Sequence, residues 1–244
     1  ANSEETNMVN DLHLTQHISR KFNQELEDVR NQVLRMGGLV EQQVQDGLTA
    51  LIEADEVLAQ QVIKRDTEVN RMEIEIDEKC TEILARRQPA ASDLRLMVSI
   101  IKTITDLERI GDEAEKLGTN ALTLFNEQSN NRHIIELRNL GERVKKMLSR
   151  SLDAYARMDV EEALSIIKSD ILVNQEFESI SRLLIIKMME DPREIKHALY
   201  ISYCARALER IGDHSKNICE YIVYLVKGKD VRHSSLEDIT KEID

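Results

Sequence analysis

Apolar residues recur three and four positions apart along almost the whole chain, which is the spacing of one face of an α-helix. The first apolar stripe runs from Ile18 to Leu51, and proline, glycine or a polar run interrupts the later ones. Proline ends a helix because its nitrogen cannot donate the backbone hydrogen bond. The pattern predicts six helices, over residues 14–53, 56–87, 92–127, 132–157, 160–190 and 193–227.

The second half of the chain repeats the first. The matched positions are LERIGD at 107–112 and 208–213, Asp66 and Asp170, and Asn70 and Asn174. The offset between the halves changes only across the turn that contains a proline, where a change of loop length does least harm. We therefore predict two tandem three-helix bundles, over residues 8–128 and 129–228, followed by an acidic tail over 229–244.

The composition agrees with an all-α protein, because 32% of the residues are charged and only 3% are aromatic. The formal net charge of −12 argues against binding of nucleic acid through phosphate contacts. Three scattered cysteines do not have the spacing of a zinc site, and we expect free buried thiols. No apolar run is long enough for a membrane span and none resembles a signal peptide, so we expect a cytoplasmic protein.

The repeated hexapeptide contains two features that weaken a helix. Glu108 and Asp112 are four residues apart on one helix face, where like charges repel, and Glu209 and Asp213 repeat this pair. Gly111 inside a helix costs about 1 kcal/mol relative to alanine. A solvated surface has no need of such a glycine, so we expect another backbone or a ligand to come close to it.

An antiparallel hairpin of the second and third helices places acidic and amide residues at the same level. Its turn lies near Pro89, and in the second half the turn lies near Pro192. The same construction applied to both halves gives two quartets of oxygen ligands on facing helices. The predicted pairs are Asp66 with Asp112, Asn70 with Glu108, Asp170 with Asp213, and Asn174 with Glu209.

Three carboxylates and one amide oxygen per half are the ligand types of a hard cation, so we predict metal sites. Iron, manganese, magnesium, calcium and zinc all remain candidates, and a solvated charge cluster is the alternative. Glu73 and Asp77 have the same spacing and are reserve ligands. His214 follows the motif only in the second half, and we expect it to be solvated.

The sequence offers little support for catalysis. It contains no serine or cysteine triad and no glycine-rich phosphate loop, so we expect that the protein is not an enzyme. Two alternatives stay open, a metal-binding helical adaptor and a metal-dependent enzyme.

Several segments together resemble the PhoU family of bacterial phosphate-signalling regulators, from about residue 12 to residue 233. They are the doubled LERIGD, FNQELEDVR (22–30), MGGLVEQQV (36–44), RRQPAASDLR (86–95), ARMDVEEAL (156–164) and MMEDPR (188–193). The resemblance implies an all-α fold of two three-helix bundles with pseudo-twofold symmetry. It also implies a cytoplasmic negative regulator of the phosphate-starvation (Pho) response.

The resemblance further implies partners and a metal motif. The expected partners are a PhoR-type sensor histidine kinase and the ATPase subunit of the phosphate ABC transporter, and membrane contact is only indirect. We also expect a homodimer. The family's acidic metal motif matches fully at Glu108–Asp112 and Glu209–Asp213, whereas Asp66–Asn70 and Asp170–Asn174 have asparagine at the last place. Each asparagine removes a negative charge and favours a weaker or single-ion site.

Overall fold

The computed structural model describes residues 2–86, 89–125 and 134–231, and these residues contain helices and no strand. The helices are α1 Asn2–Glu53, α2 Glu56–Arg86, α3 Ala91–Phe125, α4 Ile134–Arg157, α5 Val160–Glu190 and α6 Ile195–Lys227, with a short 3₁₀ helix Pro192–Glu194 before α6. The six predicted helices are therefore confirmed. The structure begins α1 at Asn2, well before the predicted start at residue 14. The predicted break near residue 130 and most of the predicted tail lie outside the described residues.

Local capping fixes the ends of the helices in the second half. The side chain of Asp159 accepts a hydrogen bond from the backbone nitrogen of Glu162 (3.0 Å), which caps the start of α5. Gly228 has φ +73°, the left-handed conformation that ends many helices, and its nitrogen donates to the carbonyl of Tyr224 (2.9 Å). The predicted helix end at residue 227 is therefore confirmed.

The helices form two bundles, α1–α3 and α4–α6, that share a single apolar core. Helices α3 and α6 pack against each other along the centre, and α1 contacts α4. Each LERIGD motif contributes a leucine and an isoleucine to this core: Leu107, Ile110, Leu208 and Ile211 are completely buried. No helix among the described residues is long and apolar enough to cross a membrane.

The contact between α1 and α4 shows the pseudo-twofold relation of the halves. A methyl group added at Gly37 would lie 2.8 Å from Cδ2 of Leu152, and one added at Gly141 would overlap Leu48. Gly141 follows Gly37 by the same number of residues as Leu152 follows Leu48. Each helix therefore presents a glycine to a leucine of the other helix, as a twofold axis between α1 and α4 requires. The predicted fold class is thus confirmed.

These glycines give a test of the interface between the bundles. Gly38→Ala, with nothing within 4 Å of the added carbon, should raise the free energy of unfolding by about 0.5–1 kcal/mol through helix propensity. Gly141→Ala should give no gain, or a loss of up to about 1 kcal/mol, because overpacking against Leu48 offsets the same propensity. Urea unfolding monitored by circular dichroism measures both values. Equal stabilisation by the two substitutions would show that the α1–α4 contact is loose.

The three cysteines are free and buried, as predicted. Burial raises the pKa of Cys80 and of Cys204 to about 12, so neither thiol ionises near neutral pH.

Candidate metal centre

Helices α2 and α3 bring three carboxylates of the first bundle together. Oxygen atoms of Asp66 on α2 and of Asp112 and Glu115 on α3 all lie within 4.8 Å of one another. Asp66 is buried, whereas Asp112 and Glu115 are partly exposed, so the cluster opens towards solvent on one side. The structure therefore places Asp112 opposite Asp66, as the hairpin construction predicts.

Asp66 has one oxygen that is satisfied and one that is not. Its Oδ2 accepts a hydrogen bond from Nδ2 of Asn70, one helical turn later (2.9 Å). Its Oδ1 is buried and accepts no hydrogen bond within the described part of the chain. A buried polar atom without a partner costs free energy, and a cation bound among the three carboxylates would remove that cost.

The electrostatics of the cluster show that repulsion between its negative charges outweighs the nearby positive charge of Lys116. Burial and the charge of Asp112 raise the pKa of Asp66. Burial and the charges of Asp66 and Asp112 raise the pKa of Glu115. Like charges in a partly buried site favour uptake of a proton or a cation. The first cluster is therefore a site at which a cation would reduce an existing repulsion.

The other predicted acidic residues of the first half extend the cluster along the helices. Burial raises the pKa of Glu108, and the charges of Asp112, Glu73 and Asp66 raise it further. The pKa of Glu73 is also raised by burial, and a hydrogen bond with the side chain of Thr105 offsets part of that increase. The charge of Asp77 also raises the pKa of Glu73, but Asp77 is not one of the three carboxylates that lie within 4.8 Å of one another.

The second half arranges its acidic residues differently. Burial and the charges of Glu209 and Asp170 raise the pKa of Asp213 to about 6. The ammonium nitrogen of Lys216 lies 3.3 Å from Oδ2 of buried Asp170. Glu209 is paired with Arg206 at 3.2 Å. Two basic side chains thus partly neutralise this quartet, in contrast to the first.

The two predicted amide ligands direct their amide nitrogens at the carboxylates of the neighbouring aspartates. Asn174 donates from Nδ2 to Oδ2 of Asp170 (3.2 Å), just as Asn70 donates to Asp66. Each asparagine therefore positions the aspartate one turn before it, with its amide nitrogen directed towards the carboxylate. The oxygen of Asn70 is buried and has no hydrogen bond among the described residues.

The glycine of each motif allows close helix packing. A methyl group at Gly111 would lie 3.1 Å from Cγ1 of Val69 and 3.4 Å from Oδ1 of Asp66. One at Gly212 would lie 3.2 Å from Cγ1 of Val173, the equivalent residue of α5. The expected close approach is thus that of the neighbouring helix, and it allows Asp66 to reach the acidic residues of α3.

Two residues of the site were not predicted from the sequence, Glu115 and Lys216. Both lie three residues after the motif aspartate, Asp112 or Asp213, so helical periodicity places them on the same face. This spacing could have identified both residues from the sequence. His214 was expected to be solvated, but it is buried, and its Nδ1 lies 2.7 Å from Oδ1 of Asp106. That expectation was wrong because α3 covers this face of α6.

The donor set fits a hard cation. Carboxylate oxygens are the ligands that magnesium, manganese and iron share, and Asp66, Asp112 and Glu115 would hold such an ion. No cysteine or histidine contributes to this group, which makes it less suited to zinc.

The fold and these clusters define a class, an all-α protein made of a duplicated three-helix unit with acidic residues on the facing helices of each copy. A family model described as the PhoU domain matches residues 33–121 and again residues 137–222. The chain therefore belongs to the PhoU family, and the resemblance seen in the sequence is confirmed.

The relatives cover nearly the whole chain. A Pseudomonas putida protein named phosphate-specific transport system accessory protein PhoU homolog is 52% identical over 236 residues, which are 97% of this chain and 92% of the relative. The accessory protein PhoU of Escherichia coli strain K12 is 50% identical over 230 residues, which are 94% of this chain and 95% of the relative. The crystal structure of PhoU from Pseudomonas aeruginosa superposes with a TM-score of 0.84 at 53% identity, covering 85% of this chain and all of that one.

Proposed function

We propose that this protein is an accessory regulator of the phosphate-specific transport system that represses the phosphate-starvation response while phosphate is plentiful. The observation that carries the proposal is the identity of about one residue in two, over almost the full length, to proteins that bear the accessory name. The identity extends over 94–97% of this chain, so it is not confined to one segment.

The mechanism we propose is a protein–protein switch. The partners are a PhoR-type sensor histidine kinase and the ATPase subunit of the phosphate ABC transporter, so the protein meets the membrane only through them. Long charged helix faces support this role, because charged surfaces steer the encounter with partners of complementary charge and disfavour other partners. The relatives are named accessory proteins, and we propose that this chain also is no enzyme.

We further propose that a divalent cation bound by the acidic motifs is part of the switch. An ion at Asp66 and Asp112 would cross-link α2 and α3, and it would replace a strongly negative patch by a weakly negative one. A change of this kind alters which partner surface the bundle attracts. We place the protein in the cytoplasm, as a homodimer.

Complementation tests the regulatory role. An Escherichia coli K12 strain without its own PhoU should regain repression of alkaline phosphatase in phosphate-rich medium when it expresses this chain. The double variant Asp66→Asn/Asp112→Asn should repress less well if the cation is part of the switch. Asp153→Asn, which removes an exposed carboxylate paired with Arg157, is the matched control and should repress fully.

Two outcomes would contradict the proposal. High phosphatase activity despite soluble, folded protein would show that the chain lacks the regulatory contacts of its relatives. Hydrolysis of phosphoesters by the purified wild-type protein, lost in Asp112→Asn, would instead favour a metal-dependent enzyme. Pull-down of the kinase and the ATPase subunit separates a failure to bind from a failure to regulate.

A further inference from the structure

The two halves differ at one position next to their acidic motifs. Three residues after the motif aspartate, the first half has Glu115 and the second half has Lys216. The structure directs both side chains to the cluster of their own half. Glu115 lies within 4.8 Å of Asp66 and Asp112, and Lys216 lies 3.3 Å from Asp170.

We propose that only the first half binds a divalent cation, with Glu115 as its third carboxylate ligand, and that the ammonium group of Lys216 takes the place of the ion in the second half. The inference rests on the proposed cation binding and specifies where it occurs. It assigns a role to two residues outside the LERIGD motif, and it predicts one ion per chain in a protein whose motif occurs twice.

The charges around each cluster support this division. In the first half the lysine beside Glu115, Lys116, lowers the pKa of Glu115 by its charge, but its ammonium group pairs with Glu113 (2.9 Å). No basic side chain among the described residues forms an ion pair with Asp66, Asp112 or Glu115. The first cluster thus depends on an external cation for full compensation.

The second cluster has a cation of its own. Lys216 is partly buried beside Asp170, and its charge lowers the pKa of Asp213, although burial and the neighbouring acids outweigh that effect. A divalent ion there would have to displace the ammonium group or accept its repulsion at close range. In the second half no close group of three acidic ligands is present among the described residues.

The aspartates themselves do not explain the difference. Asp170 is as buried as Asp66, and its Oδ1 is likewise without a hydrogen bond within the described part of the chain. Each is also held by an asparagine one turn later. The asymmetry therefore depends on the residue three positions after the motif, and exchanging these two residues should exchange the sites.

The experiment is a titration of chelator-treated protein with Mn²⁺, in which electron paramagnetic resonance measures the free ion. Wild type should bind one Mn²⁺ per chain, Lys216→Glu should bind two, and Glu115→Lys should bind none. The double exchange Glu115→Lys/Lys216→Glu should bind one, and Asp213→Asn should now remove it. Lys168→Glu and Glu78→Lys carry the same changes of charge on exposed positions and should keep the wild-type stoichiometry.

Thermal unfolding gives a second measurement of the same variants. Mn²⁺ should raise the midpoint of unfolding of wild type, and Glu115→Gln should weaken the apparent affinity by about tenfold or more without unfolding the bundle. Lys216→Met in chelator should unfold at a lower temperature than wild type, because Asp170 loses its counter-charge. This last result does not depend on metal.

The outcomes distinguish the inference from the proposed function. Two ions bound by wild type, or one ion lost in Asp213→Asn but not in Asp112→Asn, would overturn the asymmetry while cation binding stands. No ion bound by wild type or by Lys216→Glu would overturn both. Repression of the phosphate-starvation response, measured by complementation, is independent of either result.

Discussion

Replacing Asp106 with alanine should lower the free energy of unfolding by about 3–5 kcal/mol, the largest effect that we expect from a single polar substitution in this protein. Asp106 lies on α3 with 2% of its surface exposed, at the contact with α6. The alanine would leave several buried donors without an acceptor, and their desolvation would no longer be compensated.

The geometry explains why one carboxylate has this importance. Oδ1 of Asp106 lies 2.7 Å from Nδ1 of His214 and 3.0 Å from Nδ2 of Asn217, which donates to it. Its Oδ2 accepts from the hydroxyl of Tyr221 at 2.7 Å. All three partners belong to α6, so this network joins the first bundle to the second. The equivalent position in the second motif is Ala207, and the network therefore occurs once.

Chemical unfolding of Asp106→Ala measures the loss in the free energy of unfolding. The variants Tyr221→Phe and Asn217→Ala measure the contributions of two of its hydrogen-bond partners. Each single partner substitution should cost about 1–2 kcal/mol, and the double substitutions with Asp106 should be strongly non-additive. Asp153→Ala removes an exposed carboxylate from a surface ion pair and should change stability by less than about 1 kcal/mol. A loss for Asp106→Ala as small as that of the control would mean that this hydrogen-bond network contributes little to holding the bundles together.

The second large effect concerns pH. Asp213→Asn should raise the free energy of unfolding by about 1–2 kcal/mol at pH 7.5 in the presence of a chelator. In the folded protein, burial together with Glu209 and Asp170 raises the pKa of Asp213 from 3.8 to about 6. The full pKa shift of Asp213 would correspond to a larger change in the free energy of unfolding. The side chain is partly exposed, however, so solvent screens part of the electrostatic effect.

The direction of the pH dependence follows from the raised pKa. Between pH 3.8 and about 6 the folded protein holds a proton on Asp213 that the unfolded chain has released. The contribution of this group to stability is therefore greatest below about pH 4, declines as the pH rises, and is a constant cost above about pH 6. The stabilisation by Asp213→Asn should disappear by pH 4.

Unfolding of wild type and Asp213→Asn at several pH values between 4 and 8 measures this effect. Asp191→Asn is the control with the opposite electrostatics, because the neighbouring Arg193 lowers the pKa of Asp191. This control should give no stabilisation at pH 7.5. A difference between wild type and Asp213→Asn that does not vary with pH would show that Asp213 titrates as an ordinary exposed aspartate.

The carboxylate clusters show how far helical periodicity can predict a site. The spacing of Glu108 and Asp112 and the position of Pro89 were enough to place Asp112 opposite Asp66, which the structure confirms. The same periodicity would have included Glu115 and Lys216 on that face. What it could not supply is the direction of each side chain, because directions depend on the neighbouring helix and on the balance of nearby charges.

By itself, the sequence determined the helices, the duplication and the residues that face each other within each bundle. These features depend on local periodicity, on proline and glycine breaks, and on short hairpins whose register follows from the turn. Only the tertiary structure decided how the bundles meet: that Gly37 and Gly141 accept leucines across α1 and α4, and that Asp106 binds three residues of α6. Such contacts join residues that are 93 to 115 positions apart. No local sequence pattern predicts them, because they form only when two complete helical bundles pack against each other.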